Sequence, residues 1–441
     1  MTINAPASQS KKQVVVAMFF IALLFFILGF VTWLNGSLIP FLKIVCNLND
    51  FQALWVTFAF YIAYTVMALP SAAVLSRIGY KHGMTASLGV MAVGALMFIP
   101  AAKTSYYGLF LLALFTLATG MTLMQTAINP YIVCIGSRES AAMRISIMGL
   151  FNKGAGIVVP MVFFALILSG IDQSSTSSAT LAAMDQVARE TLRADLASRL
   201  VTPYITMAIG LVLFMLIIHF SSLPDLDLQD ETESNTTRFG VLQFPQLVLG
   251  AVTLFAYVGV EVIAGDTIGL YGQHLGVQHF IKLTSYTMGF MVLGYLVGVI
   301  AIPKLLSQKS ALILSAVCGL LFSLGVMNSS STDSGIAQAL IGWAGVPMVP
   351  NSVMFLAMLG FANALVWPAV WPLALEGLGK YTAAGSALLI MGISGGAILP
   401  MVYGHFSDTS GAQSAYWVML PCYAMILFYA LKGHKITSWK S

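Results

Sequence analysis

Lys153 and Glu261 are the residues from which a mechanism could be built, because each interrupts a long apolar run. An ionised group at the centre of a bilayer costs several kcal/mol or more, so it faces a cavity or a partner and marks a pathway. Lys153 follows Asn152 and lies nine residues after Arg144, which the pattern puts at a membrane edge. At ~1.5 Å per residue it sits about 13 Å deep, too far to snorkel easily. Glu261, within Val258–Asp266, is its natural partner. A carboxylate whose protonation depends on a movable lysine is a coupling element for a transported cation. The plainer reading is a structural pair that holds two helices together. Asp266 follows five residues later, about 140° further round a regular helix, so it shares a face with Glu261 only if the helix unwinds. Gly265, Gly269 and Gly272 make unwinding possible, and Asp266 is a third candidate for cation coupling.

Neutral polar side chains in the same runs suit hydroxyl recognition. Gln125 and Asn129, four apart, share one helix face just before Pro130. Each amide offers both a donor and an acceptor. Trp33 with Asn35, Asn152 beside Lys153, and Asn363 with Trp367 and Trp371 add amides and indoles that could bond a hydroxyl or cover a ring face. Interhelical hydrogen bonding, interfacial aromatic belts and packing are the competing readings.

The remaining polar residues read as ordinary. Glu376 with Lys380, and Asp408, are interface charges near helix ends; His274, His279 and His405 carry no special role. Cys46, Cys134, Cys318 and Cys422 are far apart and read as small packing residues. No HExxH motif and no nucleophile–base pair lies in the apolar runs, so neither an enzyme nor a cofactor or metal is expected. Basic residues are scattered and the net charge is only +4, which excludes a nucleic-acid surface.

The elements that must position these residues follow from composition. The chain is 59% hydrophobic and only 8% charged, with mean hydropathy +0.89; a soluble domain has about 25% charged residues. The expectation is an all-α integral membrane protein with twelve spans. They lie near 14–42, 51–75, 83–102, 107–135, 145–169, 201–221, 243–272, 284–305, 310–327, 339–375, 382–403 and 414–432. The first run is too long for a secretory signal core and reads as a retained helix. Residues 171–199 are too polar to insert and form an extramembrane excursion. Residues 223–240, rich in Asp and Glu, form a linker between a first half (1–222) and a second half (241–441). Lys and Arg bias, including Lys11, Lys12, Arg77, Lys81, Arg138, Arg144, Arg238, Lys304 and Lys380, puts both termini in the cytoplasm. The halves repeat weakly: Ile147-Met148-Gly149 then Pro160-Met161-Val162, against Ile390-Met391-Gly392 then Pro400-Met401-Val402. A parallel repeat of this kind carries its substrate site near the midplane between the halves.

Several stretches carry a resemblance. Leu75-Ser76-Arg77-Ile78-Gly79-Tyr80-Lys81 resembles the short basic loop between helices two and three of the major facilitator superfamily, with Ser76 where an acid is usual. Gly29–Asn35 with Leu38-Ile39-Pro40, Phe58–Tyr61 with Ala63-Tyr64, Gln125–Tyr131, Arg144–Gly149 and Asn152-Lys153 resemble the fucose–proton and glucose/galactose symporters of that superfamily. Fucose–proton members carry an aspartate in helix one and a glutamate in helix four; here those positions are Gly36 and Gln125. Asn152-Lys153 and Glu261 with Asp266 look instead like the glucose, galactose and N-acetylglucosamine branch. The resemblance implies import of a neutral monosaccharide with H⁺ or Na⁺, by a monomer in a bacterial inner membrane. The alternative is a proton-coupled efflux antiporter for drugs or organic cations, against which a midplane lysine speaks.

Overall fold

A backbone surrounded by lipid must bond all its N–H and C=O groups internally, and a long apolar run does so as a helix. The computed structural model describes residues 11–134, 141–168, 183–221, 223, 238–301, 307–378 and 381–439. Among them, twelve helices are long and apolar enough to cross a membrane. They are α1 (Val14–Cys46), α2 (Asp50–Leu75), α3 (Arg77–Thr104), α4 (Tyr107–Cys134), α5 (Ala141–Phe163), α6 (Val201–Phe220), α7 (Pro245–Asp266), α8 (Thr284–Ala301), α9 (Gln308–Asn328), α10 (Asn351–Leu375), α11 (Leu388–Ser410) and α12 (Ser414–Lys435). No strand occurs among the described residues. Large apolar side chains such as Leu69, Leu166, Ile209 and Ile300 are exposed, as a lipid-facing surface requires.

Three boundaries differ from the sequence expectation. The seventh span is not one helix over 243–272: it stops at Asp266, bends at Thr267 and resumes as Ile268–His274. The tenth does not begin at 339. A short helix, Gly335–Ile341, comes first, and α10 starts at Asn351 after Gly345 (φ 66°), Pro347 and Pro350 end the regular path. The polar excursion contains a helix, Gln186–Ser198, capped by Asp185 and packed on the end of α1 with Leu196 and Ala197 buried. Residues 171–182 of that excursion, 224–237 of the acidic linker, Arg138, Lys304, Lys380 and the Ser76 side chain lie outside the described residues. Just past the α2–α3 junction, in the first turn of α3, the path kinks at Gly79, whose φ of 78° suits glycine.

Packing falls into two groups. α1 lies on α5, and α2 and α3 lie on α4 and α6. Likewise α7 lies on α11 and α12, and α10 on α8 and α9. The groups meet where α5 crosses α8 and α2 crosses α11. Glycine permits several close crossings, two of them between corresponding helix pairs. A side chain on Gly29 of α1 would collide with the Asn152 carbonyl of α5, and one on Gly395 of α11 with the Phe255 carbonyl of α7. Small residues permit this approach where hydrophobic force between helices is absent. These are corresponding helix pairs of the expected repeat, first with fifth and seventh with eleventh.

Gly29→Val and Gly395→Val should therefore each destabilise the purified protein by about 1–3 kcal/mol through overpacking. Gly154→Val is the control, since nothing lies within 4 Å of a Cβ there. Thermal unfolding in detergent checks this; a Gly29→Val protein as stable as the parent contradicts the crossing geometry.

Candidate functional site

α1, α5 and α7 converge on one charged cluster. Lys153 Nζ of α5 donates to Glu261 Oε1 of α7 at 2.7 Å, and each side chain is only 11% exposed. The pair joins the first six helices to the last six. Trp33 of α1 lies under the same ammonium, 4.3 Å from Nζ to the ring centroid. A cation over a desolvated indole face gains ~2 kcal/mol. The indole Nε1 donates to Asn152 Oδ1 at 3.3 Å, and Asn152 Nδ2 reaches the Phe25 carbonyl at 3.4 Å. Gly156, one turn beyond Asn152, lets Trp33 and Met288 close over the cluster.

The bend at Thr267 sits beside this cluster. Where α7 stops, the carbonyls of Ala264 and Gly265 leave the regular ladder. Thr287 and Thr284 of α8 donate their hydroxyls to them, at 3.1 and 2.9 Å. Backbone that breaks inside a membrane needs such partners. α1 is interrupted at Leu34, and Pro40 removes the bond that would reach the Gly36 carbonyl. That carbonyl packs against Gly269. Asp266, last residue before the bend, is fully buried, and neither carboxylate oxygen has a hydrogen-bond partner. Asn35 is 1% exposed with its amide nitrogen unbonded.

Other expected residues are dispersed. Gln125 is half-buried and donates to Tyr64 Oη at 3.0 Å, whereas Asn129 is exposed. Asn363 is buried and accepts from Tyr423 Oη at 2.9 Å, so its carbonyl faces α12. Trp367 packs with Trp371 (5.4 Å) and Tyr257 (6.3 Å). The sequence reading passed over Tyr61 and Tyr64, stacked on α2 at 6.2 Å. Tyr61 and Val262 of α7 both close on Gly396 of α11, so Tyr61 stands at the junction of the two helix groups. Phenolic hydroxyls inside apolar spans were the available signal.

The sequence reading also set aside a cluster at the end of the bundle opposite the termini. Asp50, 2% exposed at the start of α2, gathers three donors. Lys43 Nζ lies 2.5 Å from Oδ1, while His274 Nε2 at 2.7 Å and Ser407 Oγ at 2.6 Å reach Oδ2. Asp408 of α11 accepts the backbone N–H groups of Asp50 and Phe51, both at 3.0 Å. It thus satisfies orphan donors in the first turn of α2 from the other helix group. His274 is therefore not the idle residue expected, and Asp408 does more than face an interface.

In overall sequence and fold the chain is similar to known proteins. The chain is 32% identical over 437 residues to the glucose/galactose transporter of Brucella abortus, covering 97% of this chain and 96% of that one. It is 25% identical over 441 residues to the L-fucose-proton symporter of Haemophilus influenzae, covering 97% and 98%. Its fold superposes on the solved structure of FucP of E. coli in the outward conformation with a TM-score of 0.69, at 23% identity over 95% of this chain and 98% of that one. Residues 21–400 match the Major Facilitator Superfamily model. On the twelve-helix architecture and this match, the chain belongs to the Major Facilitator Superfamily.

Proposed function

We propose that the protein is a monomeric, cation-coupled symporter of a bacterial inner membrane that imports a neutral monosaccharide such as glucose, galactose or N-acetylglucosamine. It would do so by alternating access between halves 1–222 and 241–441, with linker 223–240 and both termini in the cytoplasm. The observation that carries this reading is the Lys153–Glu261 pair, which ties the two helix groups together with Trp33 and Asn152 attached. The relatives named glucose/galactose transporter and L-fucose-proton symporter support a sugar and a cation as cargo.

In this mechanism Asn35, Asn152, Gln125 and Asn129 bond sugar hydroxyls, and Trp33 covers a ring face; Trp367 and Asn363 contribute from the second half. A sugar that takes the Asn152 amide competes with the Trp33 indole for it. Trp33 then leaves the ammonium, and Lys153 is freed to exchange Glu261 for the ligand. Glu261 and Asp266 take the coupling ion, H⁺ or Na⁺. Asp266 supports this because a fully buried carboxylate without a partner needs a positive charge or a proton. A ligand drives the change only through different affinity for the two states, and these groups supply the difference.

Uptake into proteoliposomes with a panel of sugars, under separately imposed pH and sodium gradients, tests the reading. Glu261→Gln should abolish gradient-driven accumulation and leave sugar exchange measurable; normal accumulation in that variant removes Glu261 from the coupling path. Uptake of a lipophilic cation without sugar competition would favour the efflux alternative.

A thermodynamic cycle separates coupling from mere bracing. Lys153→Ala strands a buried carboxylate and should cost about 3–5 kcal/mol of stability. Lys153→Ala with Glu261→Gln should recover most of that in thermal unfolding, yet still fail to accumulate sugar. Full transport by the double variant would make the pair structural only.

A further inference from the structure

The cluster on Asp50 lies on the extracytoplasmic side in the orientation proposed above, and the proposal here rests on that sidedness. It joins segments far apart in sequence. Lys43 and Asp50 belong to the first six helices, whereas His274, Ser407 and Asp408 belong to the last six. In the state described, the bonds of His274 and Ser407 to Asp50, and of the Asp50 and Phe51 amides to Asp408, pull the two sets together. An opening at this end separates Asp50 from His274 and Ser407 and strips Asp408 from the first turn of α2. Asp50 keeps only Lys43.

We propose that Asp50 and His274 form an extracytoplasmic proton site that latches this side of the transporter shut. Imidazole changes charge between about pH 5 and 8, the range met outside a cell. The His274 side chain is 36% exposed, so external water reaches the ring, while Nε2 sits on a buried carboxylate. Negative charge lies against the ring in the closed state. Asp50 is in direct contact, and Asp408 is bonded to the Asp50 amide. Against them stands Lys43 alone, 3.4 Å from Nε2 and itself bonded to Asp50. The other charged or titratable groups on neighbouring elements are engaged elsewhere. Arg193 bonds Asn47 at 2.6 Å, Lys282 and His279 pack on Phe164, and the His405 ring meets Phe51.

The sign follows from linkage: closure and protonation promote each other. Acid outside strengthens the charge-assisted bond to Asp50 and holds the outer side shut. Loss of the ring proton leaves only a neutral hydrogen bond in place of the charge-assisted one, and the outer side opens more readily. The latch thus responds to the outside alone, whereas the midplane carboxylates respond to whichever side the cavity faces.

The test uses the full chain in nanodiscs, with Cys46, Cys134, Cys318 and Cys422 replaced by serine. Spin labels go at Ser105→Cys, after α3, and Thr332→Cys, after α9; both sites are exposed at this end. Pulsed-dipolar distances are measured at pH 5.5 and pH 8. The closed-to-open ratio should be at least about fivefold higher at pH 5.5. His274→Gln should flatten the response, and His405→Gln should leave it intact. In a Glu261→Gln/Asp266→Asn background the response should persist, which separates the latch from the coupling reading. The proposal is overturned if the parent shows no pH response, if His274→Gln retains it, or if it disappears with the midplane carboxylates alone. Distances are read without sugar, so a failed uptake assay does not decide the matter.

Discussion

A lysine and a glutamate held together inside the helix bundle, each only 11% exposed, constrain nearly everything else in this protein. Separating them leaves two uncompensated charges in a medium of low dielectric, so the helices that carry them cannot move independently without something taking their place. α5 and α7 belong to different helix groups, and the pair therefore sets the terms on which those groups rearrange. Trp33 adds a third helix to the same ammonium. A replacement ligand must offer hydrogen-bond acceptors to the lysine or a proton to the carboxylate. A polyhydroxylated solute and a coupling cation answer those two needs, which is why the proposed cargo and the geometry fit each other.

The bundle around the pair is arranged to bring polar groups close without exposing backbone. Gly29 and Gly395 let α1 approach α5 and α11 approach α7. Thr284 and Thr287 fill the bonds lost where α7 bends. Such compensation comes from a different helix from the one that needs it. The fold is therefore not a set of independent rods: α7 and α8 are tied at the bend, and α5 and α8 are tied by Ser285 bonding the Ile157 carbonyl at 2.7 Å.

Much of this was legible in the residues themselves, for a physical reason. Charges inside apolar runs are rare because they are unfavourable, so Lys153, Glu261 and Asp266 announced themselves, and the pairing of the first two follows from opposite sign and matching depth. Spans were legible because lipid demands length and apolarity. Helix breaks were only half legible. Glycines around Asp266 marked a weak stretch, but hydroxyls from α8 accompany the break at Thr267, and no local pattern in α7 contains them. The far-end cluster was not legible at all. At span ends a charge is cheap, so His274 and Asp408 looked like ordinary edge residues and Asp50 drew no reading. The convergence of the three joins positions 224 and 358 residues apart, which needs the fold. Asn363 divides: an amide in a span suggests a ligand, its carbonyl oxygen takes the Tyr423 hydroxyl, and its amide nitrogen is left without a partner.

The interruptions at Leu34 and Thr267 have a joint consequence. Both fall beside the central cluster, and the short segments beyond them, Asn35–Cys46 and Ile268–His274, rest on each other. The molecule is thus articulated into two storeys. The lower one contains the ion pair and the long, regular portions of α1 and α7. The upper one is a canopy of two stubby rods, one from each helix group, with its own hinges. A canopy jointed in this way is not rigidly continuous with the storey below it, so the far end and the deep charges sit on separate lengths of helix.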